Sequence, residues 1–483
     1  MKKDNGQLWL TYSKEELREI TALSERYKAF LAAGKTEREC TALAVEAAVA
    51  AGFEDLEEVI RSGKKLSAGD KVYLNWMHKS VVLFRLGQRP LCEGMRILGA
   101  HLDSPRLDVK QNPLYEEAGM AYLDTHYYGG VKKYQWVTTP LALHGVVTKT
   151  DGSVIPVCIG EKEEDPVFCI TDLLIHLAAD QLEKKARVVI EGEQLDVLIG
   201  NRPAAGSGEE LAADREQDGG TQRGSDQEKE TKDAVRRNML LLLKEQCGLE
   251  EEDFLSAELE IVPAGKPRDC GLDRSMILAY GHDDKVCAYT SLEAFLEADD
   301  TEYTACCLLV DKEEIGSVGA TGARSRFFEN AVAELMNCTG DYSELQLRRC
   351  LANCRMLSSD VSAGFDPLYA EVFDRRNAAY LGKGLVFNKY TGARGKSGSN
   401  DANAEYLAQI RRVMDEGGVA WQTAELGRVD AGGGGTIAYI SALYGMDVVD
   451  SGVAVMNMHA PMEIVSKADV YEAKKGYLAF LKG

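Results

Sequence analysis

What the chain lacks narrows its function before any motif is considered. It has no membrane span: in 483 residues no apolar run reaches the roughly 20 residues that a bilayer crossing needs. It shows no signal-peptide core, because residues 1–10 are polar, so a cytoplasmic protein is expected. It lacks positive charge. With 77 acidic against 56 basic residues the net charge is −21, and such a chain is repelled by phosphate backbones and anionic lipid. Neither a nucleic acid nor a membrane is expected as a partner. It also lacks a disulfide framework: its twelve cysteines include no C-x-x-C pair. Most sit in apolar runs such as Val157-Cys158-Ile159 and Phe168-Cys169-Ile170, which reads as reduced core thiols.

The length is too great for one ordinary core and implies two or three domains, or one large domain with an insertion. Near the N-terminus, Ser13-Lys14-Glu15-Glu16 and Thr36-Glu37-Arg38-Glu39 are capping boxes. They predict two helices, the second ending at Gly52. From residue 96 the texture changes. Short apolar runs end in polar clusters: 97–100 before His101-Leu102-Asp103, 306–310 before Asp311-Lys312-Glu313-Glu314, 453–456 before His459. Helical patterns at 286–296 and 328–335 lie between them. Buried strands alternating with helices predict an α/β fold with a mostly parallel central sheet, whose ligands gather beyond the strands' carboxyl ends.

The middle of the chain differs. Runs at 141–147, 154–159 and 187–190 read as strands, and 202–232 is polar, without apolar periodicity, and reads as an exposed mobile loop. The expected division is residues 1–105 and 266–483 for one domain, interrupted by a β-rich domain at 106–265.

The polar clusters carry the chemistry. A catalytic zinc site draws on neutral imidazoles and carboxylates and keeps a position open for water. Two ions about 3.5–4 Å apart need a shared carboxylate and further ligands on each side. In His101-Leu102-Asp103, an extended segment puts residues i and i+2 on one side, so the Asp103 carboxylate can hold the far nitrogen of His101. The competing reading is a surface histidine near an aspartate. In His282-Asp283-Asp284, ahead of a helix, one aspartate suffices as an N-cap and the other is free for a metal; His282 reads as a bystander. Adjacent Glu313 and Glu314 at a strand end repel unless a cation offsets them, although a solvated turn also suits them. Ser359-Asp360 equally suits a turn, and His459 a structural role. The run Gly432-Gly433-Gly434-Gly435-Thr436 lacks the Lys-Ser/Thr ending of a phosphate loop and reads as a close-approach loop lining a substrate site.

These motifs, in this order, resemble the aspartyl aminopeptidase and vacuolar aminopeptidase I family of two-zinc metallopeptidases. The resemblance rests on Gly99-Ala100-His101-Leu102-Asp103-Ser104-Pro105, His282-Asp283-Asp284-Lys285-Val286, Asp311 through Ser317, Ser359-Asp360, the stretch 430–437 and Met458-His459. It implies two divalent ions per chain, zinc first and cobalt or manganese next, with Asp283 shared and His101, Glu314, Asp360 and His459 completing the set. Which of these serves which ion is left open. It further implies Glu313 as general base, Asp103 as the partner of His101, and an inserted domain that builds dimers into a homo-oligomer, as far as a dodecamer. The segment Leu173-Leu174-Ile175-His176-Leu177 resembles the one whose histidine enters a neighbouring subunit's site, so His176 would stabilise the oxyanion. Lys389 matches a lysine near the substrate pocket, which with Gly434 would contact substrate.

The chain departs from the family at Val361-Ser362-Ala363-Gly364, at Ala460-Pro461-Met462-Glu463 and at Lys396-Ser397-Gly398-Ser399-Asn400. The expected activity is removal of N-terminal residues from peptides with a free N-terminus. A related two-metal deacylase or carboxypeptidase is the alternative, as is a non-catalytic assembly protein on the same fold.

Overall fold

A computed structural model describes residues 8–204 and 233–483. Most of the segment expected as a loop, 205–232, lies outside the described residues. The chain divides into two compact units: Met1–Ser104 with Lys266–Gly483, and Pro105–Gly265. Among the described residues no helix is long and apolar enough to cross a membrane.

Both N-terminal capping boxes form, Ser13 and Thr36 each accepting from the backbone three residues on while the glutamate there reaches back. They start the helices Lys14–Ala33 and Glu37–Ala50, and Gly52 follows the second with a φ of 82°. The first unit is built on a nine-stranded sheet. Its order is Glu54–Asp55, Lys71–Trp76, Ser80–Arg85, Thr304–Val310, Met95–His101, Arg355–Ser359, Asp447–Gly452, Leu385–Asn388 and Trp421–Thr423. The four strands that matter most, Thr304–Val310, Met95–His101, Arg355–Ser359 and Asp447–Gly452, are adjacent and parallel. Their near-continuous apolar sequences follow from burial on both faces: every residue of Met95–His101 and of Thr304–Val310 is buried. The helix His282–Glu297 lies on one face with Tyr27, Phe295, Leu98 and Leu309 in one core, while Phe84, Ile97, Met336 and Met356 belong to a core on the other. A smaller sheet orders Arg268–Cys270, Met276–Ala279, Glu463–Ser466, Ala454–Met456 and Ser362–Ala363.

The second unit is a six-stranded sheet, antiparallel throughout, ordered Val154–Ile159, Leu141–Thr148, Ala257–Pro263, Arg106–Glu117, Met120–Tyr128 and Val197–Gly200. Two sequence expectations fail here. Residues 187–190 are not a strand: Ala186–Val188 is a 3-10 turn. Of that run only Ile190 is buried, and charged Lys184, Lys185 and Glu191 leave it too short an apolar stretch to join the sheet. Cys158 is exposed and Cys169 half-buried, because each sits on the outward side of its segment. All twelve cysteines are free, seven of them buried.

Phe84 is fully buried and stands opposite Val72 on one neighbouring strand and Cys306 on the other. Phe84→Ala is expected to cost about 3–5 kcal/mol, read as a lowered urea midpoint; an unchanged midpoint would contradict this packing.

Candidate metal centre

Three parallel strands deliver their chemistry at the same end. His101 is the last residue of Met95–His101 and stands opposite Val310, the last of Thr304–Val310. The 3-10 turn Glu313–Ile315 follows that second strand, and Asp360 follows Arg355–Ser359 directly. Asp283 enters from the first turn of His282–Glu297, where Asp283 and Asp284 are non-helical and joined by a cis peptide bond. His459 comes from the turn beyond Ala454–Met456, in a left-handed conformation with φ 66°.

These five residues form two overlapping triads. His101, Asp283 and Asp360 each offer a ligand atom, as do Asp283, Glu314 and His459, the atoms of each triad lying within 4.8 Å of one another. Asp283 belongs to both. Its Oδ1 is 3.3 Å from His101 Nε2 and its Oδ2 is 3.2 Å from His459 Nε2. Glu314 Oε1 lies 3.5 Å from the same His459 nitrogen.

Neighbouring polar groups fix the orientation of these side chains. Asp103 faces the far nitrogen of His101, as the sequence leads one to expect. His101 Nδ1 is 3.4 Å from its carboxylate and 3.0 Å from its main-chain oxygen, because the chain turns after the strand ends and brings the carbonyl round. The Asp103 carboxylate also accepts from the backbone N–H groups of Glu313 and Glu314 at 3.1 and 3.2 Å. One residue thus orients the imidazole and seats both glutamates. Asp284 does not cap the helix; it accepts from the His101 N–H at 3.3 Å, and its other oxygen is buried without a hydrogen-bond partner. Gly452 has no side chain for a steric reason, since a Cβ there would lie 1.9 Å from the Asp360 carbonyl oxygen.

Sequence reasoning missed Glu463, buried at 1% exposure, which accepts from the N–H groups of both Asp283 and His459. Its signal was an acid inside the apolar run Met462-Glu463-Ile464-Val465. His282 points away from the triads, its Nδ1 2.7 Å from Tyr27 Oη and its Nε2 3.2 Å from the Ile277 carbonyl.

The electrostatics are those of a cation site. Burial pushes the carboxyls of Glu314, Asp360 and Asp284 well above their ordinary range, and the neighbouring aspartate charges push further. Burial likewise raises Glu313 to about 7, with the charges of Asp103 and Asp283 adding to it and the histidines opposing. Burial alone would depress His101, but the Asp103 and Asp283 carboxylates outweigh it and hold the imidazole well above its usual value. Asp283 is held below the usual carboxylate range: the two histidines overcome the desolvation that would raise it. Glu314 Oε1 is buried with no hydrogen-bond partner. A donor set of imidazole and carboxylate with orphaned oxygens fits zinc.

The remaining candidates belong to neither triad. Lys389 pairs with Asp401. Gly434 accepts from the Gly392 N–H at 2.6 Å, and the close approach of its loop is to the chain's own backbone: a Cβ on Gly433, at φ 128°, would meet the Gly392 oxygen at 2.1 Å. Gly432, with Arg394, Lys396, Glu425 and Arg428, lines a cavity of about 360 Å³. His176 lies on the 3-10 turn Ile175–Leu177 of the second unit and is exposed, as are Leu173, Leu174, Ile175 and Leu177.

Comparison with known proteins points the same way as the geometry. Residues 30–481 match the family described as aminopeptidase I zinc metalloprotease (M18). A probable M18 family aminopeptidase 1 of Clostridium acetobutylicum is 56% identical over 479 residues, covering 99% of this chain and 98% of the relative. The crystal structure of an M18 aminopeptidase from Thermotoga maritima superposes with a TM-score of 0.90 at 42% identity, covering all of both chains. The yeast mApe1 dodecamer, at 19% identity and a TM-score of 0.74 over 96% of this chain and 97% of that one, shares the fold.

Raised carboxyls and a raised imidazole hold protons that a metal displaces. Zinc uptake by the metal-free protein is expected to release protons, and affinity to strengthen as pH rises, because Glu314, Asp360 and His101 hold their protons above the ordinary range. Calorimetry in buffers of differing protonation enthalpy measures this; uptake without proton release would contradict it.

Proposed function

The chain belongs to the aminopeptidase I zinc metalloprotease (M18) family and is a zinc metalloaminopeptidase, and from that premise we propose that it works with two metal ions per chain. Asp283 is shared, His101 and Asp360 serve one ion, and Glu314 and His459 serve the other. The observation that carries this is the shared carboxylate, each of whose oxygens faces a different imidazole at 3.2–3.3 Å. Zinc bound there supplies Lewis acidity and lowers the pKa of water toward about 7.

Glu313 is the general base. Its backbone is pinned by Asp103, no hydrogen bond engages its carboxylate among the described residues, and its pKa near 7 suits a group that accepts a proton from water and passes it to the departing amine at neutral pH. The substrate is a peptide with a free N-terminus. Lys389 and Gly434 lie on loops joined by the Gly392–Gly434 hydrogen bond and are assigned to the substrate-binding wall.

The inserted unit builds dimers and a larger homo-oligomer in this reading; the yeast protein of the same fold is a dodecamer. Its support is the exposed apolar segment around His176, where Ile175 and Leu177 are each 67% exposed; contiguous apolar surface of this kind marks contact sites. His176 from one subunit then donates to the carbonyl oxygen in another subunit's site. A cytoplasmic location accords with twelve free cysteines.

Glu313→Gln is expected to keep its metal content while turnover of a free aminoacyl anilide falls at least ~100-fold. N-acetylated anilides should stay uncleaved by either protein. Near-normal turnover by the variant would end the assignment. For His176→Ala the expectation is a loss of about 100-fold or more in kcat with metal content and oligomer size retained; an unchanged kcat would remove His176 from the site.

A further inference from the structure

We propose that Glu463 is a positioning residue of the metal centre, its single carboxylate setting the separation between Asp283 and His459. This rests on the reading of Asp283, Glu314 and His459 as ligands. Glu463 Oε2 accepts from the Asp283 N–H at 2.9 Å, and Oε1 accepts from the His459 N–H at 2.6 Å. Both oxygens are thus committed to the main chain of two residues 176 positions apart in sequence, and neither is aimed at a metal or at solvent.

The fold explains why this one residue reaches both. Glu463 opens the strand Glu463–Ser466 and stands opposite Ala279, the last residue of Met276–Ala279. The chain leaving Ala279 turns through Gly281 into Asp283, and the chain entering Glu463 has just left the turn that carries His459. The two turns therefore emerge side by side from one end of a two-strand ladder, and the carboxylate lies between them. His459 holds a left-handed φ of 66° and Asn457 one of 61°. A non-glycine residue keeps such a conformation only where its surroundings impose it, and the short bond to the His459 N–H is one such restraint.

The arrangement requires a carboxylate. Two N–H donors converge on two oxygens, and both oxygens of a carboxyl group can accept. Glutamine has nearly the same volume but turns an NH2 toward one of the two donors. That replaces one hydrogen bond by two donors facing each other in a buried place, which is costly. The first triad has other supports: His101 is held by Asp103, and the Asp360 N–H bonds to the Ser451 carbonyl at 2.9 Å. Loss of the Glu463 carboxylate therefore acts on the triad that contains His459.

The test is zinc titration of the metal-free protein by calorimetry, with cobalt absorption spectra as a second readout, on the unsubstituted chain, Glu463→Gln and His459→Ala. Glu463→Gln is expected to keep one site at unchanged affinity and to weaken the other by about 10- to 100-fold, the usual scale for a partner of a metal ligand. The cobalt spectrum of the weakened site should change, and its activity should return at high zinc. Two sites of unchanged affinity in Glu463→Gln would overturn the proposal alone, as would equal weakening of both. A chain that binds fewer than two ions, or a His459→Ala variant that binds both normally, would overturn the ligand reading itself. If Glu463→Gln does not fold, amide exchange in the metal-free unsubstituted chain decides: slow exchange at Asp283 and His459 supports the proposal, and fast exchange at both rejects it.

Discussion

Seven carboxyl groups (Asp103, Asp283, Asp284, Glu313, Glu314, Asp360 and Glu463) and two imidazoles are crowded where parallel strands end, and the mutual repulsion of the acids is the constraint on which the rest of the molecule turns. Burial and like charge both oppose ionisation of Glu314, Asp360 and Asp284. Only positive charge placed among them relieves this at neutral pH. The two histidines supply part of it for Asp283. A family of zinc metalloproteases supplies the remainder with metal. The groups are held in place through the main chain: His101 and Asp360 at strand ends, Glu314 on a 3-10 turn, Asp283 in the first turn of a helix and His459 in a turn.

That anchoring has a common form. Carboxylates that take no part in either triad accept from the backbone N–H groups of residues that do. Asp103 seats Glu313 and Glu314, Asp284 seats His101, and Glu463 seats Asp283 and His459. Hydrogen bonds are directional, so these contacts of 2.6–3.3 Å hold the turns from which the side chains project.

The inserted unit solves a different problem. Its sheet is antiparallel, so one of its faces is free to meet solvent or a partner, and it carries the apolar segment around His176 on a short turn. That segment's cost in exposed apolar surface makes sense as an interface, which is how it enters the proposed assembly.

Much of this was legible along the chain. The capping boxes, the buried strands, the parallel sheet and the polar clusters at strand ends are local patterns, and local patterns follow from backbone periodicity and side-chain size. The run 187–190 misled because a short apolar stretch takes its conformation from its neighbours, here charged residues on both sides. Cys158 and Cys169 misled because burial of a strand residue depends on which face meets the core. The sequence by itself determined which residue types stand at each strand end, and so the class of chemistry. Only the tertiary structure decided that Asp283 faces both His101 and His459, that Asp103 reaches Glu313 and Glu314 through its carboxylate and His101 through its carbonyl, and that Glu463 ties two distant turns together. Those are contacts between residues far apart in the chain, and the register of one sheet against another, not any local pattern, sets their distances.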